Sequence, residues 1–396
     1  MTSLPSLRSN LRRLGGPLCV SAAVLAATAC AGGEVAFEGA RTFERELALE
    51  DSGATSANVS IGDLNGDGHL DLVLVKGRHW PLVDPVLLGN GDGTFEAAGT
   101  LSPTADRSYS GVLIDLDRDG DLDVVVSNDL PDPKVVHLND GTGQFSVGST
   151  FGEPEWSTRY VSTADLDGDG VPDVVLANRY GDDSGPSYIC FGTGSGGFGE
   201  PCLDFSYGSA TTITPADFNG DGSIDLAVPA RDGGQGFVYL NDGAGQFTDR
   251  RPFGPADAAI RSARAADLDG DGRLDLAVID ERTGPAVIRG GPDLSFGTGE
   301  PLGDVDARPY AIEIADVDAD GRTDIVVGYV ESRPVVYFND AEGFTPVPFG
   351  DDEGVAYGFA FGDMDEDGLT DIAMARSAAV NMLYFGARRA SSPPES

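Results

Sequence analysis

Seven short apolar runs recur along the chain, and each has the composition of a buried β-strand. Continuous runs of about four to six apolar residues, rich in Val, Ile and Leu, are typical of strands buried on both faces. The pattern therefore predicts an all-β protein in which one such strand occurs in every ~50 residues. The runs are LDLVLV (70–75), LDVVV (122–126), PDVVLA (172–177), IDLAV (224–228), LDLAVI (274–279), TDIVVG (323–328) and TDIAMA (370–375).

An acidic loop precedes the apolar part of every run and follows the pattern D-x-[DN]-x-D-x-x-x-D, with Gly at position 6. Self-similarity at a fixed period indicates a repeat architecture in which each repeat is one supersecondary unit. The seven copies begin at residues 63, 115, 165, 217, 267, 316 and 363.

The spacing within these loops fits calcium, which takes about six to eight oxygen ligands. Side chains at positions 1, 3, 5 and 9 and the backbone carbonyl at position 7 would supply the oxygens, and Gly at position 6 permits the sharp turn that brings them together. For a single copy the alternative is a solvated Asp-rich hairpin, but seven copies favour calcium. An EF-hand is excluded, because position 12 lacks Glu and strands follow the loop. We therefore predict about seven Ca²⁺ ions, held by Asp63, Asn65, Asp67, His69, Asp71, Asp115, Asp117, Asp119, Asp121, Asp123, Asp165, Asp167, Asp169, Val171, Asp173, Asp217, Asn219, Asp221, Ser223, Asp225, Asp267, Asp269, Asp271, Arg273, Asp275, Asp316, Asp318, Asp320, Arg322, Asp324, Asp363, Asp365, Asp367, Leu369 and Asp371.

A second signature follows most acidic loops and reads, for example, HLNDGTGQF (137–145) and YLNDGAGQF (239–247). A strand that enters an Asn-Asp-Gly turn and a strand that leaves it predict a β-hairpin. Each repeat therefore holds four strands, and seven such repeats predict a seven-bladed β-propeller. The last repeat lacks a fourth strand, and TFERELAL (42–49) resembles the fourth strand of the first repeat, TFEAAGTL (94–101). We predict that this N-terminal strand completes blade seven and closes the ring.

The repeats resemble the FG-GAP/VCBS repeats of integrin α-subunit propellers and of many exported bacterial proteins. The motifs that carry the resemblance are IGDLNGDG (61–68) and FGDMDEDG (361–368). The resemblance covers nearly all of the chain after its N-terminal segment, and it implies the propeller fold and calcium binding. It implies less about function, because the family includes adhesion heads, lectins and a few polysaccharide lyases. The FG-GAP half of the motif, which is typical of integrins, is degenerate in most copies, so the resemblance does not imply that this chain binds an integrin ligand.

The N-terminus predicts export. Arginines precede a short apolar stretch, Leu18 to Ala29, which suits a cleaved signal better than a membrane span. The segment 27–30 reads Ala-Thr-Ala-Cys, so either ordinary cleavage or lipidation of Cys30 is open, and we favour an outer-membrane or cell-surface lipoprotein over a periplasmic or secreted protein. The predicted organisation is a signal peptide (1–29), a short linker (30–40), the propeller (41–386) and a disordered tail (387–396).

Charge and cysteine content narrow the class of partner. A formal net charge of −39 repels nucleic acid and anionic lipid, so we expect neither as a partner, with membrane contact only through a lipid anchor.

Cys190 and Cys202 flank a hairpin turn in the third repeat, and they could form a disulfide or stay as two free thiols. We expect a monomer.

No nucleophile with an adjacent base and no phosphate-binding Gly loop stands out, so we predict no enzyme activity. The acidic pairs that could serve as acid and base are the predicted calcium ligands. We predict a non-catalytic binding or adhesion module for a glycan or a protein. The alternatives are a calcium-dependent polysaccharide lyase and a passive surface scaffold.

The predicted ligand site lies opposite the acidic loops. Loops after the second strand and between blades share that face, and in the first three repeats they are long and rich in Arg and aromatic residues. Rigid scaffolds usually bind through such variable loops, and Arg with aromatic residues is the usual composition of a recognition hot spot. An acidic glycan or acidic protein segment would suit the arginines, and sugar rings or side chains would stack on the aromatic rings. The predicted ligand-binding residues are Arg78, Trp80, Arg159, Tyr160, Arg179 and Tyr180.

Overall fold

The computed structural model describes residues 40–181, 185–303 and 307–388. The predicted signal peptide, Cys30 and the segment 389–396 of the predicted tail lie outside these residues. The regular secondary structure of the described chain is almost entirely β, and the strands form seven four-stranded antiparallel sheets, the blades of a propeller. Among these residues, no helix is long and apolar enough to cross a membrane.

Each blade is a meander in which consecutive strands are hydrogen-bonded neighbours. Blades one to three contain Ser56–Gly62, Asp71–Lys76, Pro85–Gly89 and Phe95–Thr100; Ser108–Ile114, Asp123–Asn128, Lys134–Asn139 and Phe145–Phe151; and Thr158–Ala164, Asp173–Asn178, Gly185–Cys190 and Leu203–Gly208. Blades four to six contain Thr214–Ala216, Asp225–Val228, Gly236–Leu240 and Asp249–Phe253; Ile260–Ala266, Asp275–Asp280, Gly284–Ile288 and Glu300–Pro301; and Pro309–Ala315, Asp324–Tyr329, Val335–Asp340 and Gly343–Pro348. Blade seven contains Val355–Gly362, Asp371–Ser377, Met382–Arg388 and the N-terminal strand Ala40–Ala48.

The N-terminal strand is the outer strand of blade seven. It runs antiparallel to Met382–Arg388, with Glu46 opposite Tyr384 and Ala48 opposite Met382. The outer strand of the last blade therefore comes from the opposite end of the propeller sequence. Its first residue, Ala40, precedes the expected propeller limit of 41, and the last two residues of its partner, Ala387 and Arg388, lie beyond the limit of 386, so the first two residues of the predicted disordered tail belong to a strand.

The core consists of layers between neighbouring blades, which explains the continuous apolar runs. In blade one, Leu72 and Leu74 pack in a cluster shared with blade seven, whereas Val73 and Val75 pack in a cluster shared with blade two. Successive side chains of a strand point to opposite faces. Because each face of the second strand is covered by a neighbouring blade, both sets of side chains are buried, and no polar alternation appears in the sequence.

Two local features follow the sequence closely. The fifth hairpin motif is degraded in the sequence, and there the chain forms a 3₁₀ turn, Pro292–Leu294, between two-residue strands, followed by a two-residue outer strand. In blade three, Cys190 and Cys202 are joined by a disulfide, with 4.4 Å between their Cα atoms.

Candidate functional site

The acidic loops connect the first and second strands of every blade, and their backbone is organised by their own side chains. In the first loop, Asp63 accepts hydrogen bonds from the backbone N–H groups of Gly66 (2.8 Å) and Gly68 (3.0 Å). Gly68 has φ = 90°, a left-handed conformation that side chains disfavour. The glycine at position 6 is thus required by the turn itself.

The aspartate at position 9 is buried in all seven loops, and both of its oxygens accept backbone hydrogen bonds. One oxygen accepts a hydrogen bond from the backbone N–H group of the residue at position 2 of the same loop. The N···O distance is 2.7 Å in blade one and 3.2 Å in blade five. The other oxygen accepts a hydrogen bond from a backbone N–H group of the third strand; in blade one the distance from Gly89 N to Asp71 Oδ1 is 2.7 Å. The seven residues are Asp71, Asp123, Asp173, Asp225, Asp275, Asp324 and Asp371.

This bonding gives position 9 a structural role that sequence reasoning assigned to metal binding alone. The carboxylate ties the loop to the third strand of its own blade, so its repetition does not by itself require an ion. The case for a cation therefore depends more heavily on positions 1, 3 and 5.

Five loops hold three carboxylates whose ligand atoms lie within 4.8 Å of one another. Burial, together with the neighbouring aspartates, raises the pKa of Asp324 and of Asp371 to about 7 and that of Asp173 to about 6. Gathered carboxylates with raised pKa values favour a nearby positive charge. An all-oxygen donor set of this kind fits a hard divalent cation such as Ca²⁺, which would offset the repulsion.

The loops differ in how far arginines already offset their charge. Arg41 of the N-terminal strand pairs with Asp318 (2.7 Å), and Arg45 pairs with Asp365. In the fifth loop Arg273 pairs with Asp271, while Arg289 pairs with Asp275 (2.8 Å). In the described parts of the chain, no such arginine pair is formed by the carboxylates of loops one, two, three and four.

A cavity of about 130 Å³ opens at the other end of the blades. Its walls come from the start of the first strands and from the loops after the second strands, and all seven blades contribute. Six arginines and four tyrosines dominate it: Arg78, Arg159, Arg179, Arg231, Arg261, Arg264, Tyr109, Tyr160, Tyr310 and Tyr357.

Each of the four tyrosine rings has a guanidinium stacked on it from another blade. The distances from the guanidinium carbon to the ring centroid are 4.4 Å for Arg159 on Tyr109, 5.1 Å for Arg264 on Tyr160, 3.4 Å for Arg261 on Tyr310, and 4.0 Å for Arg78 on Tyr357. Such contacts hold the arginines in place without neutralising them. The rings are therefore part of the arginine framework, and the Tyr160 ring, which was predicted to contact the ligand, carries the guanidinium of Arg264.

Five of the six arginines also have a carboxylate partner. The closest pairings are Arg159 with Asp129 (2.8 Å), Arg179 with Asp232 (2.7 Å), Arg231 with Glu281 (2.8 Å), Arg261 with Glu281 (3.1 Å), and Arg264 with Glu313 (Nε to Oε2, 2.6 Å). Arg78 forms no ion pair with any carboxylate of the described residues, so the cavity wall has an excess of positive charge.

A hydrogen-bonded chain lies at the cavity rim. His79 Nδ1 is 2.9 Å from Asp129, and His79 Nε2 is 3.0 Å from the Tyr109 hydroxyl. Burial lowers the pKa of His79, although Asp129 opposes this effect. A neutral imidazole donates to Asp129 through Nδ1 and accepts from Tyr109 through Nε2, which matches this geometry.

The structure brings four of the six predicted ligand residues together: Arg78, Arg159, Tyr160 and Arg179 line the cavity. Trp80 does not line it and is 61% exposed beside His79. Tyr180 also lies outside, and its hydroxyl accepts from Asn178 Nδ2 (3.2 Å).

Sequence reasoning restricted the site to blades one to three and missed the contributions of Arg261, Arg264 and Tyr310. A repeated position carries a usable signal, six residues before the first aspartate of each loop. That position is an arginine or tyrosine in five blades, at Tyr109, Arg159, Arg261, Tyr310 and Tyr357, and all five line the cavity.

The family model for the FG-GAP-like repeat matches residues 63–126, 115–176, 165–228, 217–278 and 288–374. The chain belongs to the FG-GAP-like repeat family. The predicted resemblance and the all-β, seven-bladed propeller are thereby confirmed. No curated protein sequence matches the chain.

Solved structures with the same fold have low sequence identity to this FG-GAP-like repeat protein. BP39L lectin from Burkholderia pseudomallei is 13% identical, with a TM-score of 0.62, and the match covers 85% of this chain and 99% of the lectin. BBS1N, solved in complex with ARL6DN, is 12% identical, with a TM-score of 0.59 and coverage of 88% and 97%. At these identities the likeness establishes the fold.

Proposed function

We propose that this protein is an exported, calcium-binding propeller that acts as a non-catalytic binding module. The observation that carries the proposal is the cavity of six arginines, four of them stacked on tyrosine rings, which presents excess positive charge on an otherwise acidic protein. Electrostatic complementarity would direct an anionic glycan or an acidic protein segment to this one place. The lectin and the BBS1N complex support the proposal, since propellers of similar shape bind glycans or proteins.

The test is a glycan array together with affinity capture from cell extract, using the intact mature protein. Changing both Arg159 and Arg179 to Ala should abolish capture. Because Arg159 pairs with the buried Asp129, some loss of melting temperature is expected, and circular dichroism checks that the variant is still folded. The matched control is Arg333→Ala, since Arg333 bonds only to backbone carbonyls of Gly350 and Pro348 among the described residues. If the Arg159/Arg179 variant binds normally and Asp167→Ala abolishes binding without unfolding, the ligand is held by the acidic loops. If nothing binds the parent protein, the passive scaffold is the better description.

For calcium, the residues that would hold the ion are those at positions 1, 3, 5 and 9, with the carbonyl at position 7. The ion would supply charge neutralisation and a rigid loop, and no chemical step. Equilibrium dialysis followed by elemental analysis should find about seven calcium ions per chain. Occupancy near zero at millimolar calcium contradicts this part of the proposal.

Export and lipidation are tested separately, because they depend on the N-terminal sequence. The mature protein should begin at Cys30 and carry a lipid, which mass spectrometry of the purified product would detect. Cys30→Ala should yield an unlipidated protein. An unmodified N-terminus after Ala29 in the parent would instead support simple cleavage and a periplasmic or secreted protein.

A second candidate function, a polysaccharide lyase, is favoured by one observation. The Asp129–His79–Tyr109 chain places a neutral imidazole and a phenol next to Arg78, where a base could remove a proton beside a sugar carboxylate. The electron pair left at C5 would form a C4–C5 double bond as the C4–O bond to the neighbouring sugar breaks, and the departing oxygen would take a proton from the Tyr109 hydroxyl. The unsaturated uronate that remains absorbs ultraviolet light. Incubation with acidic polysaccharides should give no such absorbance if the protein is a pure binding module, and a signal that His79→Ala removes would establish the lyase.

A further inference from the structure

Arg78 stands apart from the other cavity arginines in its contacts. Its guanidinium lies 4.0 Å from the ring centroid of Tyr357 and 5.7 Å from that of Tyr109. Among the described residues, its one side-chain hydrogen bond is a long contact with Ser377 Oγ (3.4 Å). Its Nε is buried and has no hydrogen-bond partner among the described residues. A buried donor without an acceptor is costly, and more so when it carries charge.

The turn that carries Arg78 is fixed by its backbone. Gly77 donates to Thr55 O (2.9 Å), and Arg78 donates to Ser108 O (3.0 Å) on the adjoining blade. Gly77 has φ = 113°, and a Cβ there would lie 2.5 Å from Trp80 O. The side chain of Arg78 is therefore presented by a rigid turn, which lowers the entropic cost of binding a ligand there.

We infer that the rim of the arginine-lined cavity binds an acidic sugar unit, with the sugar carboxylate on Arg78 and the sugar ring face against Trp80. The inference rests on the proposed function and specifies its ligand. A guanidinium accepts a carboxylate through two parallel N–H groups, and the buried, unpartnered Nε of Arg78 would gain an acceptor.

Trp80 favours a sugar over an acidic peptide. The four cavity tyrosines already have guanidiniums on their rings, whereas Trp80, two residues after Arg78, exposes 61% of its surface. A sugar acid combines one carboxylate with an apolar ring face, which matches a guanidinium without a carboxylate among the described residues and an exposed indole carried two residues away on the same turn. An acidic peptide would need several unpaired cations, and the other five arginines already have carboxylate partners.

The net charge of −39 also limits the ligand. A long polyanion would be repelled by the acidic surface around the cavity, while a single acidic unit would meet only the locally positive wall. We therefore expect recognition of a single acidic unit or a short acidic oligosaccharide, and binding that weakens as salt concentration rises.

The experiment compares methyl β-D-glucuronide with methyl β-D-glucoside, which differ only in the carboxylate, by NMR titration of the intact mature protein in calcium. The parent should bind the glucuronide and show no measurable binding of the glucoside. Arg78→Gln should weaken glucuronide binding by about 10-fold or more, the effect expected for one charged hydrogen-bonding group. The glucuronide affinity of Arg78→Lys should lie between that of the parent and that of Arg78→Gln. The control variant Arg333→Gln should bind the glucuronide as tightly as the parent does.

Trp80→Ala is the second arm, and it stays informative if Arg78→Gln fails to fold, because Trp80 is exposed. It should weaken glucuronide binding by about 3- to 10-fold, as expected for the loss of one stacking contact. Equal binding of glucoside and glucuronide, or an unchanged affinity in Arg78→Gln, would overturn the carboxylate assignment.

Two further probes exclude other ligand chemistries. Sodium sulfate that displaces the glucuronide at equal concentration would overturn the sugar assignment in favour of a general oxyanion site. A hexaglutamate peptide that binds more tightly than the glucuronide, and equally well in Trp80→Ala, would overturn it in favour of a protein segment. All these outcomes are distinct from failure of the proposed function, in which neither the array nor affinity capture yields any ligand that depends on the cavity.

Discussion

The two ends of the propeller use carboxylates in opposite ways. In the acidic loops, carboxylates gather beside other carboxylates, and burial raises the pKa of Asp173 to about 6. At the cavity, carboxylates such as Glu313 and Asp232 each face an arginine, and the pKa of Asp232 is lowered by its hydrogen bond from Arg179. The loop end therefore gathers negative charge that a bound cation would offset, while the cavity end is nearly balanced and, among the described residues, retains one unpaired guanidinium. Net charge alone would have suggested the same surface everywhere.

The largest effect that would sharpen this comparison is metal removal. If each loop binds calcium with a dissociation constant of ~10⁻⁴–10⁻³ M, millimolar calcium adds on the order of 1 kcal/mol per site, and the sites together approach the whole stability of a domain. Chelation should lower the melting temperature substantially, and added calcium should restore it. Differential scanning calorimetry checks this, and a melting curve that is unchanged by chelator contradicts a metal role for the loops.

The next effect separates the two roles within one loop. Asp173→Asn places an amide N–H₂ against one of two backbone N–H donors, those of Leu166 and Gly192, and should cost about 3 kcal/mol with or without calcium. Asp167→Asn, at position 3, should cost about 1 kcal/mol in calcium and almost nothing after chelation. Urea unfolding in both conditions measures the difference. Equal calcium dependence in the two variants would show that position 9 acts chiefly through the ion.

At the cavity end, the matching change removes the partner of a largely buried arginine. Glu313→Gln leaves Arg264 without its carboxylate and should lower the free energy of unfolding by about 2 kcal/mol. On the loop side, Arg273→Met breaks a more exposed pair with Asp271 and should cost no more than about 0.5 kcal/mol. Chemical denaturation of both variants at fixed calcium is the measurement. Similar losses would mean that the two ends are not electrostatically different.

The last test is a pH dependence of the metal-free protein. The folded-state pKa values of Asp324 and Asp371, about 7, exceed the unfolded value near 3.8, so the folded protein binds more protons than the unfolded protein between these pH values. Stability contributed by these groups is present at low pH and is lost as pH rises toward 7. Calcium-stripped protein should therefore be more stable at pH 5.5 than at pH 7.5 by on the order of 1 kcal/mol. Melting curves at the two pH values test this, and with saturating calcium the difference should shrink or reverse.

The repeating elements could be predicted from sequence because they depend on local chemistry. The apolar runs identify the second strands, since residues such as Val73 and Leu74 are buried regardless of which neighbouring blade covers them. Gly68 and its six counterparts are identifiable because the loop turn requires a left-handed residue. The seven-fold period then follows from counting the loops, and the propeller from having four strands in each period.

What only the tertiary structure decided is which charges meet. Arg264 reaches Tyr160, 104 residues away, and Asn139 Nδ2 donates to Leu64 O, 75 residues away on the preceding blade, although its Asn-Asp-Gly context marks it only as a turn residue. A fixed repeat places equivalent positions around a common axis, but it does not say which side chains extend across that axis or which neighbour they contact. Those choices depend on the packing of all seven blades together. For that reason the sequence determined the fold and the candidate metal loops, while the assembled ring decided the pairing that leaves Arg78 without a carboxylate in the part of the chain that the structure describes.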